Sequence, residues 1–101
     1  MQTYTLADVI RTFNKSDYAT AKEFFYYNTP AKFSDMAAAC AQAVLDGREI
    51  AIFEHDHMTI AHLGGGTYLV NEASSGASDS AAFDSDSHDE ARLDAAEAWR
   101  G

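Results

Sequence analysis

The hydrophobic period of this chain changes at Gly47, and that change limits the folds open to it. Before it, apolar residues recur at helical spacing; after it, strand formers dominate. Leu6, Val9, Ile10 and Phe13 stand at i, i+3, i+4 and i+7, a full match to one helix face. Thr5 is placed to cap that helix, Asp8 suits its positive end, and the helix is expected to stop near Asn14. Ser16 offers a second cap, with Tyr18, Ala21 and Phe25 on one face and Phe24 widening it. The run Phe24-Phe25-Tyr26-Tyr27 surrounds this helix with aromatics, and four consecutive rings do not all face one core. Asn28-Thr29-Pro30 ends it, since the residue before proline is pushed out of the helical region. The third helix is expected from Ser34 as N-cap to Gly47 as closing glycine, around an Ala-rich run that lets neighbours approach closely.

Residues 49–54 and 57–62 then read as a β-hairpin across a short polar turn. Pairing Phe53 with Met58 would put Ala51 and Ile60 on one side and Ile50, Ile52, Thr59 and Ala61 on the other. Both sides are apolar, so both call for cover. Gly64-Gly65-Gly66 breaks the pattern, and residues 67–71 form a third strand of the meander. From Ala73 to Asp86 the composition falls to Ser, Ala, Asp and Gly, with Phe83 the single large apolar residue. Such a segment buries too little apolar area to offset its ordering entropy and is expected to be a flexible linker. Ser87-His88-Asp89-Glu90 has the S-x-x-E form of a capping box and opens a last helix to about Trp99. Ala91, Ala95, Ala98 and Trp99 make its docking face; Glu90, Asp94 and Glu97 make the opposite one. The expected architecture is α+β: three N-terminal helices, a three-stranded antiparallel β-meander, a flexible linker and a C-terminal helix. The corresponding division is a compact body over 1–72, a linker over 73–87 and an acidic helix over 88–101.

A length of 101 residues with 47 % hydrophobic content fits one globular domain with one modest core. The single cysteine, Cys40, sits in the Ala-rich helix without a basic neighbour and reads as a small buried apolar residue. The N-terminus lacks the charged-then-apolar plan of a signal peptide, and no run approaches the length of a membrane span, so a protein of the reducing cytosol is expected. The net charge of −9 gathers toward the end: residues 73–101 hold seven acids against two bases. A field of that sign attracts basic partners and opposes nucleic acid as a direct ligand.

The candidate interface is accordingly Asp84, Asp86, Asp89, Glu90, Asp94 and Glu97, with Tyr26 and Tyr27 as aromatic anchors. Glu90 and Asp94 stand roughly 6 Å apart along a helix axis, a spacing comparable to neighbouring phosphates. The row therefore suits mimicry of a nucleic-acid backbone, against the plainer reading of a solvated face. His55, His57 and His62, with Glu54 and Asp56, suggest a metal site, but the hairpin turn falls among them and spoils convergence. Asp84-x-Asp86-x-His88 opens like a calcium loop, yet Asp89 and Ala95 stand where Gly and Glu are required. The three glycines lack the Lys-Ser/Thr pair of a phosphate loop and read as a turn. Ser87-His88-Asp89 is a helix cap and not a triad. No catalytic residue, metal or cofactor is assigned.

Two resemblances follow from these features. The order helix–helix–helix–strand–strand is similar to a winged helix-turn-helix, although the third helix offers Asp35, Gln42 and Asp46 and no Lys or Arg. The helix-plus-hairpin body over residues 5–71 and the acidic run Asp84-Ser85-Asp86-Ser87-His88-Asp89-Glu90 resemble the small acidic anti-CRISPR proteins of phages and mobile elements. That resemblance implies a non-enzymatic inhibitor in the bacterial cytoplasm. It would bind a CRISPR effector complex or its nuclease through a Lys/Arg-lined channel and block DNA access or nuclease recruitment. A winged-helix-like transcriptional regulator and a His-centred metal protein are the alternatives. A homodimer through the Ala-rich faces is the blandest reading.

Overall fold

The change of period at Gly47 is where the chain turns from helices to sheet. Gly47 takes φ +86°, its N–H reaches the Val44 carbonyl and the Arg48 N–H reaches that of Ala43. These bonds close the last turn of a helix with a residue that bears no Cβ. The computed structural model describes residues 2–74 and 78–100. In chain order these form β1 (Gln2–Tyr4), α1 (Leu6–Phe13), α2 (Tyr18–Asn28), α3 (Ser34–Leu45), β2 (Ile50–His55), β3 (Met58–His62), β4 (Thr67–Glu72), β5 (Ala81–Asp84) and α4 (His88–Arg100). The strands make one antiparallel sheet in the order β1-β2-β3-β4-β5.

Alternation along the strands sends two sets of side chains to opposite faces. Ile50, Ile52, Ala61 and Leu69 join Val9, Ala21, Phe24, Phe25, Met36, Cys40 and Val44 in a core under α1–α3. Phe53, Met58, Ile60, Tyr68 and Val70 join Ala91 and Ala95 in a second core under α4. The sheet is thus the middle of three layers, and both faces of the hairpin are covered as its sequence requires. Ala91 and Ala95 are fully buried, so the small side chains bring α4 close to the sheet. Trp99 anchors the far end, packing half-buried on the second core, and its indole N–H donates to Glu72 Oε2 at 3.2 Å.

The α+β class and the four helices follow the sequence pattern, but the sheet has five strands where three were expected. β1 was missed because three residues show no period; Thr3 and Tyr4 are strand formers that pair with Ala51 and Ile50. β5 corrects the expected linker: residues 81–84 pair with β4. Backbone hydrogen bonds supply what the composition lacks. Phe83 lies stacked on Tyr68 at 5.5 Å, and the Asn71 amide donates to the Asp79 carbonyl at 2.7 Å, fixing the approach to the strand. Residues 75–77 of the expected linker lie outside the described residues. α4 is likewise part of the packed body, not an appendage.

The hairpin register also differs. Phe53 faces Ile60, and Met58 faces His55, across a two-residue Asp56-His57 turn in which Asp56 takes φ +56°. The shift is two residues, so every side chain keeps its expected face. Two caps move by one position. Asp17, not Ser16, caps α2, its carboxylate accepting from the Thr20 N–H at 3.2 Å and hydroxyl at 2.6 Å. Those bonds, the hydroxyl one first, hold its carboxyl below the usual range. Phe33, not Ser34, sits at the α3 N-cap and offers no side-chain bond. Thr5 caps α1 as expected, its N–H donating to Asp8 Oδ2 at 2.8 Å.

Candidate functional site

α4 is built to show one side to solvent. Ser87 Oγ accepts the Glu90 N–H at 3.1 Å, which starts the helix. Burial of Ala91 and Ala95 then fixes its rotation, and Glu90 and Glu97 point outward. Leu93 lies between them on the same side and is 74 % exposed. An apolar side chain of that size, on a helix whose other side is docked, is bounded by Asp89, Glu90, Asp94 and Glu97.

The carboxylates are not equivalent. Asp89 bonds the Arg92 guanidinium at 2.8 Å, and that guanidinium also lies 4.8 Å over the Phe53 ring. Asp94 accepts the Ser85 hydroxyl at 2.6 Å and is half-buried. Asp84 takes a long 3.5 Å bond from the Thr67 hydroxyl. Asp86, Glu90 and Glu97 are exposed. A shallow cleft of about 310 Å³ runs between the glycine turn and α4, with Asp84, Asp86, Glu90 and Asp94 on its walls. Among the described residues no group of three or more His, Cys, Asp or Glu is arranged to hold a metal ion.

The aromatic run divides cleanly. Phe24 and Phe25 are buried, and Tyr26 and Tyr27 are 39 % and 68 % exposed with their rings 5.0 Å apart. Tyr18, 44 % exposed, completes a shallow groove with Lys22, Glu23 and both tyrosines. This patch belongs to α2, on the opposite side of the sheet from α4. The structure therefore gathers the acidic residues but does not bring Tyr26 and Tyr27 to them.

The hairpin turn separates the histidines, as the sequence suggests. His55 and His57 lie at the β2–β3 turn, where His55 Nε2 is 3.6 Å from Asp56 Oδ2. His62 is at the other end of β3 and meets His88 instead, ring to ring at 5.1 Å. In sequence His88 lies beyond a segment whose composition reads as a linker, which separates it from His62. The signal lay in the pairing of His62 with Tyr68, which places that ring beneath the start of α4. Cys40 is fully buried, and burial pushes its thiol up to about 12, so it holds its proton at neutral pH.

Gly64, Gly65 and Gly66 take φ +93°, +64° and +82° and join β3 to β4, as a turn does. A Cβ on Gly66 would stand 3.2 Å from the Ser85 carbonyl oxygen, so the glycine admits the chain entering α4. α3, which would be the reading helix of a winged-helix protein, is the most deeply packed helix. Met36, Ala37, Cys40, Ala41 and Val44 are fully buried, and its exposed side chains Ser34, Asp35, Gln42 and Asp46 carry no positive charge. Among the described residues no helix is long and apolar enough to cross a membrane. No protein-family model, curated protein or solved structure matches this chain.

Proposed function

We propose that this protein is a non-enzymatic inhibitor that docks the outer side of α4 onto a basic, nucleic-acid-handling protein, in the manner of anti-CRISPR proteins. The partner surface is a Lys/Arg-lined channel or nuclease-recruitment face of an effector complex in the bacterial cytoplasm. The observation that carries the reading is Leu93, 74 % exposed inside a ring of carboxylates. A large apolar residue in a charged surround is the plan of an interface anchor whose rim steers the encounter. Asp86, Glu90 and Glu97 supply the steering charge, and their exposure leaves them available for Lys and Arg. Tyr26 and Tyr27 lie outside this interface, since one partner face does not reach both sides of the sheet.

The test is affinity for purified CRISPR effector complexes, followed by their DNA binding and cleavage. Glu90→Lys with Glu97→Lys should weaken binding by about tenfold or more, and wild-type binding should weaken as salt rises. Leu93→Ala should speed dissociation with little change in association rate. Full affinity in the charge-reversed variant, or wild-type inhibition independent of salt, would refute the proposal.

A further inference from the structure

The N-terminal end of α4 rests on a cluster that the acidic face does not use. His62 and Tyr68 are cross-strand neighbours with stacked rings 4.5 Å apart. His88, the first residue of α4, has its Nδ1 2.8 Å from the Tyr68 hydroxyl, and its ring lies 5.1 Å from that of His62 and 5.3 Å from Phe53. His62 Nε2 accepts the Gly66 N–H at 3.3 Å, so a neutral His62 carries its proton on Nδ1. Each bond of this cluster joins a different pair of elements: β3 to its turn, β4 to α4.

We propose that His62, Tyr68 and His88 form an acid-sensitive latch that releases α4 from the sheet while α1–α3 and the strands stay folded. A proton on Nε2 removes the lone pair that accepts from Gly66 and sets two N–H groups against each other. A second proton, on His88, places two positive rings face to edge at 5.1 Å. It also adds positive charge at the N-terminus of α4, where the helix dipole opposes it. The surroundings do not compensate. β2 contributes the uncharged Phe53 ring, and its approach contributes Arg48, whose guanidinium lies along Gly64 and Gly65. β4 contributes Tyr68 and Thr67; β5 contributes Phe83 and Asp84, the latter bonded to Thr67. α4 contributes Arg92, over Phe53, with Asp89 paired to it, and the outward Glu90. Among the described residues neither imidazole is paired with a carboxylate, and the nearby Arg92 guanidinium is paired with Asp89. The Tyr68 ring stacked on His62, and the Phe53 and Tyr68 rings 5.3 and 5.7 Å from His88, favour charged imidazoles; burial and the mutual repulsion of the two imidazoles oppose them.

Burial first, and His88 second, hold His62 below the ordinary histidine value, which fixes the sign. The released form binds the proton more readily than the docked form. Docking is therefore complete above the ordinary histidine range of about 6.5 and is lost as pH falls through it.

Amide exchange read by NMR tests this on the intact chain. Between about pH 7 and pH 5, and after correction for the intrinsic rate, amides of residues 91–98 should lose protection by about tenfold or more. Those of α3 should keep theirs. His62→Phe, which keeps a ring on Tyr68, and His88→Gln should each abolish the acid effect. Equal protection of α4 at both pH values, parallel loss in α3, or an unchanged acid effect in both variants would overturn the proposal. Should a variant not fold, the wild-type imidazole resonances decide. Release of α4 coincident with titration of the His62 ring supports the latch; release at a pH where neither ring of the cluster titrates overturns it.

Discussion

Phe25 and Tyr27 stand two residues apart on α2, and replacing each by alanine should have very different costs. Phe25 is fully buried in the core under α1–α3, with Tyr4 and Phe24 edge-on at 5.8 and 5.2 Å. Truncating a core phenylalanine costs about 3–5 kcal/mol, and edge contacts of this kind add about 0.5–1.5 kcal/mol each to what area alone gives. Because those figures overlap, Phe25→Ala should sit in the upper half of the range, at about 4–5 kcal/mol. That is a large part of the roughly 5–15 kcal/mol that holds a domain of this size together. It corresponds to a fall in Tm of about 15–40 °C. Tyr27 is 68 % exposed and touches Tyr26 across the surface, so Tyr27→Ala should cost about 1 kcal/mol or less. Urea unfolding followed by far-ultraviolet circular dichroism measures both, and an unchanged m-value shows that stability alone has moved. Costs within about 1 kcal/mol of each other would mean that α2 is rotated from the position described.

Ala95→Asp should undock α4, because a carboxylate would replace a fully buried methyl; the penalty is about 3 kcal/mol, limited by the docking free energy of the helix. Trp99, the single tryptophan, should then shift its emission to the red while α3 signals persist, and unshifted emission would contradict the packing of α4. Cys40 should react with thiol reagents at about pH 8 roughly a thousandfold more slowly in the native protein than in denaturant, as its thiolate is suppressed. Rapid native labelling would show that the helix opens.

The helices were legible because their signals are local. Val9 is buried and Leu6 and Phe13 pack beside it, as the spacing requires, though Ile10, on the flank of the same stripe, is 43 % exposed. Gly47 and Asn14 close α3 and α1 with left-handed backbone, and each is a residue that tolerates it. The docking face of α4 was also readable, since Ala91, Ala95 and Trp99 leave one way for the helix to lie. The edge strands were not readable. β1 is too short to show alternation, and β5 is held by pairing with β4, a relation between distant residues that composition does not carry. The same loss hid the histidine cluster, because His62 and His88 meet through the return of β5. The exposed carboxylates could be named in advance, but not their inequality: Asp94 is tied down by Ser85 and Asp89 by Arg92. Leu93 was overlooked because a lone leucine among acids has no period, and its exposure depends on how α4 is rotated.

Among the described residues one side of the sheet is covered by α4 alone, a helix that follows every strand in the chain. During synthesis Phe53, Ile60, Tyr68 and Val70 emerge well before α4 can close over them. At ribosomal rates of about 5–20 residues per second, the interval is about two to six seconds. Through that window the nascent chain carries an adhesive apolar wall. Any premature stop before residue 88 would leave the wall permanently bare, so a shortened product should be a substrate for chaperones and proteases.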